Sequence, residues 1–375
     1  MLMENKGETM KIVISKESLV DVLSSAEKFV SKSDVNPVLG CVVIKAKGEN
    51  IEVISSDMEK GIRVIEKAEI KEEGEIALNF KKLFSSIKEL PSKNDITISY
   101  STERATVVSG KSKFTLPVIN PGEFPAIDFD CKRGDTVKVT EKDIKDIFLY
   151  GSFCFLDKDT SKPMFAGVYF QTKDDTLITA SSDTKRLAEY SVKCNGSLTN
   201  GIIVPHPTLI SVNGIVKEDE REVTIKTNHN MVFFNIGNKT VCSRLIASKY
   251  PDYKQMIPKN KNKATFSYSE LSSAIRQVIP FTTLDIFGIS FKMKEEVCCV
   301  SVRTETGEAE VKVPVDLQGI KEYNVIIDSR FIQEALRVIK SESVIFEIVE
   351  TGMNPVVIKD MNVKGFQNII MPIKG

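Results

Sequence analysis

Tryptophan is absent from this chain, and histidine occurs only twice, at His206 and His229. No pair of His or Cys has metal-ligand spacing, so a zinc site and a metal-assisted hydrolase are not expected. No cofactor is called for. No G-x-S-x-G nucleophile elbow occurs. The segment "SGKSKF" at Ser109–Phe114 resembles the end of a phosphate-binding loop. That loop needs a glycine where Ala105 stands, and a helix where Phe114-Thr115-Leu116 reads as a strand. No run approaches the roughly 18 apolar residues of a membrane span. The start "MLMENKGET" has no apolar core of a signal peptide. Met10 opens a cleaner amphipathic segment, and residues 1–9 are expected to be an extension or the product of an upstream start. Seven cysteines are scattered without a Cys-x-x-Cys. They read as buried, reduced thiols of a cytoplasmic protein, with Cys298 and Cys299 on opposite faces of a strand. Net charge is zero, with 51 Lys and Arg against 51 Asp and Glu. This argues against a protein that coats nucleic acid with its whole surface, though not against one basic face.

What the chain has is a threefold repeat. The segment "SKESLVDVLSSAEKFV" from Ser15 puts Leu19, Val22, Leu23, Ala26 and Val30 on one helical stripe. Similar segments start at Thr140 and Ser267, 125 and 127 residues further on in turn. Thr140-x-x-Asp143 and Ser267-x-x-Glu270 have capping-box form. Each helix leads into paired strands around Gly40, Gly167 or Gly288, with the alternation and β-branched content of hairpins. A second helix recurs from Asn79, Val204 and Ile327, followed by more strands. The fold class read from this is α+β: three units of two helices on antiparallel sheets, over 10–132, 133–259 and 260–375.

The second helix carries a charge signal. Phe80, Leu83, Phe84 and Ile87 form its apolar stripe, and Lys81, Lys82 and Lys88 lie off it. In the third unit the stripe is Ile332, Ala335, Leu336 and Ile339, which places Arg330 on Lys81 and Arg337 on Lys88. The second unit has Pro207 and Gly214 there. A solvated helix face explains any one of these rows. Their recurrence suits phosphate contact that is independent of sequence.

One corner is duplicated: "SSDMEKGIRV" from Ser55 and "SSDTKRLAEY" from Ser181. Asp57 and Asp183 are expected to cap their turns through backbone N–H groups.

The triplication, the basic helices and several local motifs together resemble the β sliding clamp of bacterial DNA polymerase III, over Met10 to Gly375. "NPVLGCVVI" resembles that family's segment after the first helix. "SSDTKRLA" resembles its Thr-Asp-Gly-His-Arg-Leu motif, "YPDYKQMIPKN" its Phe-Pro-Asp-Tyr motif, and "IIMPIKG" its chain end. The resemblance implies a non-catalytic processivity factor: a head-to-tail homodimeric ring of three-domain subunits, with helices lining a hole for duplex DNA. It implies DNA contacts at Lys81, Lys82, Lys88, Lys111 and Lys113, to which the repeat adds Arg330 and Arg337. It implies a dimer seam at Phe114 and Leu116 against the region of Phe281; ordinary core packing is the alternative for the first two.

The resemblance further implies a groove for short linear peptides of the polymerase, the clamp loader and other proteins. Its positions here are Phe165, Ser182, Thr184, Lys185, Arg186 and Leu187, then Pro251, Gln255 and Met256. From the third unit come Ile286, Asp328, Phe331, Met353 and Pro355, and the run Ile369, Ile370, Met371, Pro372 and Ile373. Thr184-Lys185 departs from the family's Gly-His, Gln255 from a residue that is often Arg, and Lys374-Gly375 from the usual ending. These departures bear on the polar rim and the preferred motif. A triplicated peptide-binding scaffold without DNA encirclement is the alternative function. A hydrolase or transferase around Asp183 and Arg186 is a further one.

Overall fold

The computed structural model describes residues 9–31, 36–91, 94–101, 103–156, 161–259, 262–349 and 353–374. Residues 1–8 and Gly375 lie outside the described residues. Thr9, read as part of an extension, already belongs to the strand Thr9–Ser15.

Among the described residues the three units each contribute two α-helices. They are α1 (Lys16–Ala26), α2 (Phe80–Lys88), α3 (Glu141–Gly151), α4 (His206–Asn213), α5 (Tyr268–Val278) and α6 (Ser329–Arg337). Ser15 caps α1, its side chain accepting from the N–H of Ser18 at 3.1 Å. The capping box expected at Ser267 does not form: Ser267 makes no cap bond, and its hydroxyl meets that of Ser269 instead. The apolar stripe of α1 also ends earlier than expected. The helix stops at Ala26, Val30 is only half-buried, and Phe29 takes the core position.

The chain forms two compact bodies. One joins the residues up to Lys142 with Pro207–Leu245; the other joins Asp143–His206 with the residues from Ile246 onward. The second unit is thus shared out, its first half with the third unit and its second half with the first.

In the first body the antiparallel strands of the first unit continue into those of the second. Lys60–Lys67 pairs with Lys239–Arg244, setting Gly61 opposite Cys242. The helix α1 packs on the strands Asn50–Ser56 and Lys60–Lys67 and against α2. In the second body the same join recurs one unit later. Arg186–Lys193 pairs with Gln367–Ile370, setting Leu187 opposite Ile369. A separate four-stranded sheet runs Gly307–Pro314, Val297–Thr304, Gly288–Lys294, Glu322–Asp328, with α5 packed on it and against α6. Each join satisfies N–H and C=O groups that an edge strand would leave to solvent.

All seven cysteines are free, and five are buried. Cys298 is buried while Cys299 is half-exposed, as alternation on the strand Val297–Thr304 requires. No helix of the described residues is long and apolar enough to cross a membrane.

Candidate functional site

The two Ser-Ser-Asp corners are the same structure. Asp57 Oδ1 accepts from the N–H groups of Glu59 and Lys60 at 3.1 and 2.9 Å; Asp183 Oδ1 accepts from Lys185 and Arg186, both at 3.0 Å. The capping role read from sequence is therefore present in both. Ser56 Oγ donates to the Lys60 carbonyl and accepts from the Met58 N–H. Ser182 repeats this with Arg186 and Thr184. Both turns demand a left-handed residue, and Met58 and Thr184 take it at φ 80° and 78°. Thr184 is the residue that stands in place of the glycine of the resembled motif, and a β-branched side chain is poorly suited to that conformation.

The second corner gains contacts that the first lacks. Arg186, 9% exposed, reaches Glu334 on α6 at 2.5 Å, and its guanidinium lies 4.5 Å from the ring centre of Phe331. A nearly buried guanidinium is thereby held between two carboxylates and an aromatic face. The next residue, Leu187, and Ile369 join Ala180, Ile203, Tyr250, Tyr253 and Val357 in one apolar cluster, with Phe165 packed on it. Lys185, Arg186, Leu187, Met256, Ile369 and Met371 line one small cavity of about 10 Å³. Tyr253 and Ile257 line it too; sequence reading missed them, although they sit beside Met256 in the "YPDYKQMIP" segment.

Other implied groove positions fall elsewhere. Ile286 and Ile373 line a separate cavity of about 780 Å³ on the four-stranded sheet. Ile370 is core, wholly buried. Gln255 and Pro251 are exposed, and the Gln255 amide donates to Asp252 at 2.7 Å. Met353 is exposed and Pro355 and Pro372 are half-buried. Asp328 caps α6 by accepting from the N–H of Arg330 at 2.9 Å.

The basic residues divide as well. Lys81, Lys82 and Lys88 are exposed on α2, and among the described residues none makes a salt bridge. Arg337 is exposed on α6. Arg330 differs from its counterpart Lys81: both carboxylate oxygens of Asp328 hold its guanidinium, at 3.0 and 2.6 Å. Lys111 lies in the turn before the strand Ser112–Ile119, and Lys113 lies on that strand. Phe114 on the same strand is half-buried, and Leu116 is 7% exposed within the chain itself. Only Val118 and Ile119 of this strand pair with Gly74–Asn79, so Ser112–Pro117 presents an open edge on that side. A second open edge is Gly307–Pro314, the outer strand of the four-stranded sheet. Phe281 lies beside its first residue: a Cβ on Gly307 would stand 3.3 Å from the Phe281 ring.

Three family matches run along the chain in order. The N-terminal, central and C-terminal domains of the DNA polymerase III beta subunit match residues 10–128, 140–252 and 254–374. The chain belongs to the DNA polymerase III beta subunit family. The family is a non-catalytic processivity factor, the DNA sliding clamp, and the chain has its three clamp domains. Among relatives, the beta sliding clamp of Chlamydia muridarum is 25% identical over 369 residues, covering 97% of this chain and 99% of that one. The beta sliding clamp of Staphylococcus epidermidis is 26% identical over 382 residues with the same coverage. Crystal structures of sliding clamps from Pseudomonas aeruginosa and Bacillus subtilis superpose with TM-scores of 0.91 and 0.90. Both are 21% identical and cover 98% of this chain, and 100% and 99% of their own chains respectively. They match in fold.

Proposed function

We propose that two copies of this chain close head to tail into a ring around duplex DNA and carry polymerase and loader peptides at the Asp183 corner. The observation that carries the proposal is the join between successive units. Twice within the chain, the third hairpin strand of one unit pairs with the last strand of the next. The counterparts of those two strands, Gly307–Pro314 of the third unit and Ser112–Ile119 of the first, both have open edges. A second copy fills each with the other, and a heterologous contact that closes makes a ring.

The repeat also gives the register. Carrying the pairs Gly61–Cys242 and Leu187–Ile369 onto the third join puts Thr115 opposite Glu308 of the partner. Phe114 then faces Ala309, Lys113 faces Glu310, and Leu116 faces Gly307, beside Phe281. Lys113 accordingly serves the seam, while Lys81, Lys82, Lys88, Lys111 and Arg337 supply loose phosphate contacts for DNA. Flexible lysines suit a ring that slides. At the groove, a cavity of about 10 Å³ admits an apolar anchor only when Met256 or Met371 moves aside. Both are exposed at its mouth, and Met side chains adapt readily. The site of action is the cytoplasm, with the replicative polymerase.

Light scattering together with retention on DNA tests this. A dimer that, once loaded, stays on circular DNA and is lost when that DNA is linearised is the expected result. A stable monomer without such retention would sink the proposal.

A further inference from the structure

We propose that the cleft at the Asp57 corner is a second short-peptide site, taking an apolar anchor flanked by basic residues. The proposal rests on reading the Asp183 corner as a peptide groove.

The cleft lies wholly within the first body. It holds about 270 Å³, and Met58, Ile127, Met231, Phe233 and Cys242 form its apolar part. Its position in the first join is that of the groove in the second. Gly61 stands for Leu187 and Cys242 for Ile369, as the strand pairs dictate. The linkers correspond too: Phe124, Ile127 and Cys131 pack on an apolar cluster in the first body, at the places of Tyr250 and Tyr253, which belong to the cluster in the second, and of Ile257, which packs on it.

Two differences separate the sites. The first is room. A Cβ on Gly61 would lie 3.3 Å from the Ile127 side chain, so Ile127 lies directly over Gly61. The remaining space is open, where the groove is nearly closed. Met58, 51% exposed, stands at the mouth as an adaptable wall. The second is charge. Glu59 occupies the place of Lys185, and Asp128 the place of Lys254. Both acids are exposed, and neither makes a salt bridge among the described residues. By contrast, Asp57 and Asp130 are already committed to Lys60 and Arg63. Of the two bases in the lining, Lys60 is paired with Asp57, and Arg244, where the groove has Met371, makes no salt bridge among the described residues. A rim that is acidic where its counterpart is basic selects peptides of opposite flanking charge.

Two labelled synthetic peptides read this out by fluorescence anisotropy on the full chain. Each carries a Leu-Phe pair, flanked by two lysines on each side in one and two aspartates on each side in the other. The lysine probe is expected to bind, to lose about tenfold in affinity on Glu59→Lys with Asp128→Lys, and to be unaffected by Met256→Ala. Equal binding to the double variant overturns the proposal. So does equal binding of a lysine probe whose Leu-Phe is replaced by Ser-Ser, or no binding of the lysine probe at all. The aspartate probe is expected to weaken on Lys185→Glu with Lys254→Glu. If it fails to bind while the lysine probe behaves as expected, the groove reading falls and the cleft is upheld.

Discussion

Asp183 holds Arg186 with both carboxylate oxygens: Oδ1 accepts the backbone N–H at 3.0 Å and Oδ2 accepts Nε at 2.9 Å. Asp57 holds Lys60 in the same way, at 2.9 Å to the backbone and 2.8 Å to Nζ. One turn therefore serves two purposes. At Asp57 it closes a hairpin; at Asp183 it also fixes a guanidinium that ties the strand to α6. Asp183→Ala leaves that buried cation with Glu334 and the Phe331 ring but without its second carboxylate, and is expected to destabilise by about 3 kcal/mol. Asp57→Ala, whose lysine is less enclosed, is expected to destabilise by about 1 kcal/mol. Denaturation midpoints of the two variants check the difference, and equal losses would refute it.

Thr184 is the strained residue of the Asp183 corner. Its φ of 78° is one that a glycine adopts without a Cβ clash. Thr184→Gly is expected to stabilise the protein by about 1 kcal/mol, read as a higher melting temperature. An unchanged or lower melting temperature counts against strain at this position.

The helix cations are not equivalent. Neutralising Lys81 and Lys88 together is expected to reduce the slope of log affinity for DNA against log salt by about two. Arg330→Ala is expected to change that slope by well under one, because Asp328 already neutralises the guanidinium. Titrations at several salt concentrations separate the two; a full-unit change for Arg330 would show that the pair opens on DNA.

The register proposed for the seam makes a charge-swap prediction. Lys113→Glu places two acids together with Glu310 of the partner and is expected to weaken the dimer. Adding Glu310→Lys restores an opposite pair and is expected to recover most of the loss. Sedimentation equilibrium measures both, and a double variant no better than the single one rules the register out.

Buried tyrosines predict an alkaline limit. Burial pushes the hydroxyl of Tyr150 up to about 12, with Asp146 and Asp360 adding to it, and burial does the same for Tyr323. Both titrate near 10 when unfolded. A raised folded-state value gives stability that is complete below the unfolded value and lost as pH rises toward the folded one. Stability is therefore expected to fall between about pH 10 and 12, seen in denaturation midpoints across pH.

The sequence by itself determined what depends on near neighbours. The helices, the basic row on α2 and the caps at Asp57 and Asp183 rest on spacings of a few residues, which periodicity and turn chemistry make readable; the repeat is readable because whole segments recur 125 and 127 residues further on. The tertiary structure decided what depends on residues far apart in the chain. The joins between units, Lys60–Lys67 with Lys239–Arg244 and Arg186–Lys193 with Gln367–Ile370, are strand pairings that no local pattern encodes. They bring Tyr253 to the cavity that Arg186 also lines and commit Arg186 to Glu334, while Ser112–Pro117 and Gly307–Pro314 keep an unpaired side among the described residues. Even Arg330, basic by repeat and by spacing, lost its free charge to a neighbour two residues away, because the backbone at the start of α6 turns Asp328 toward it. Sequence spacing says which residues share a face, and only packing says which of their charges are already spent.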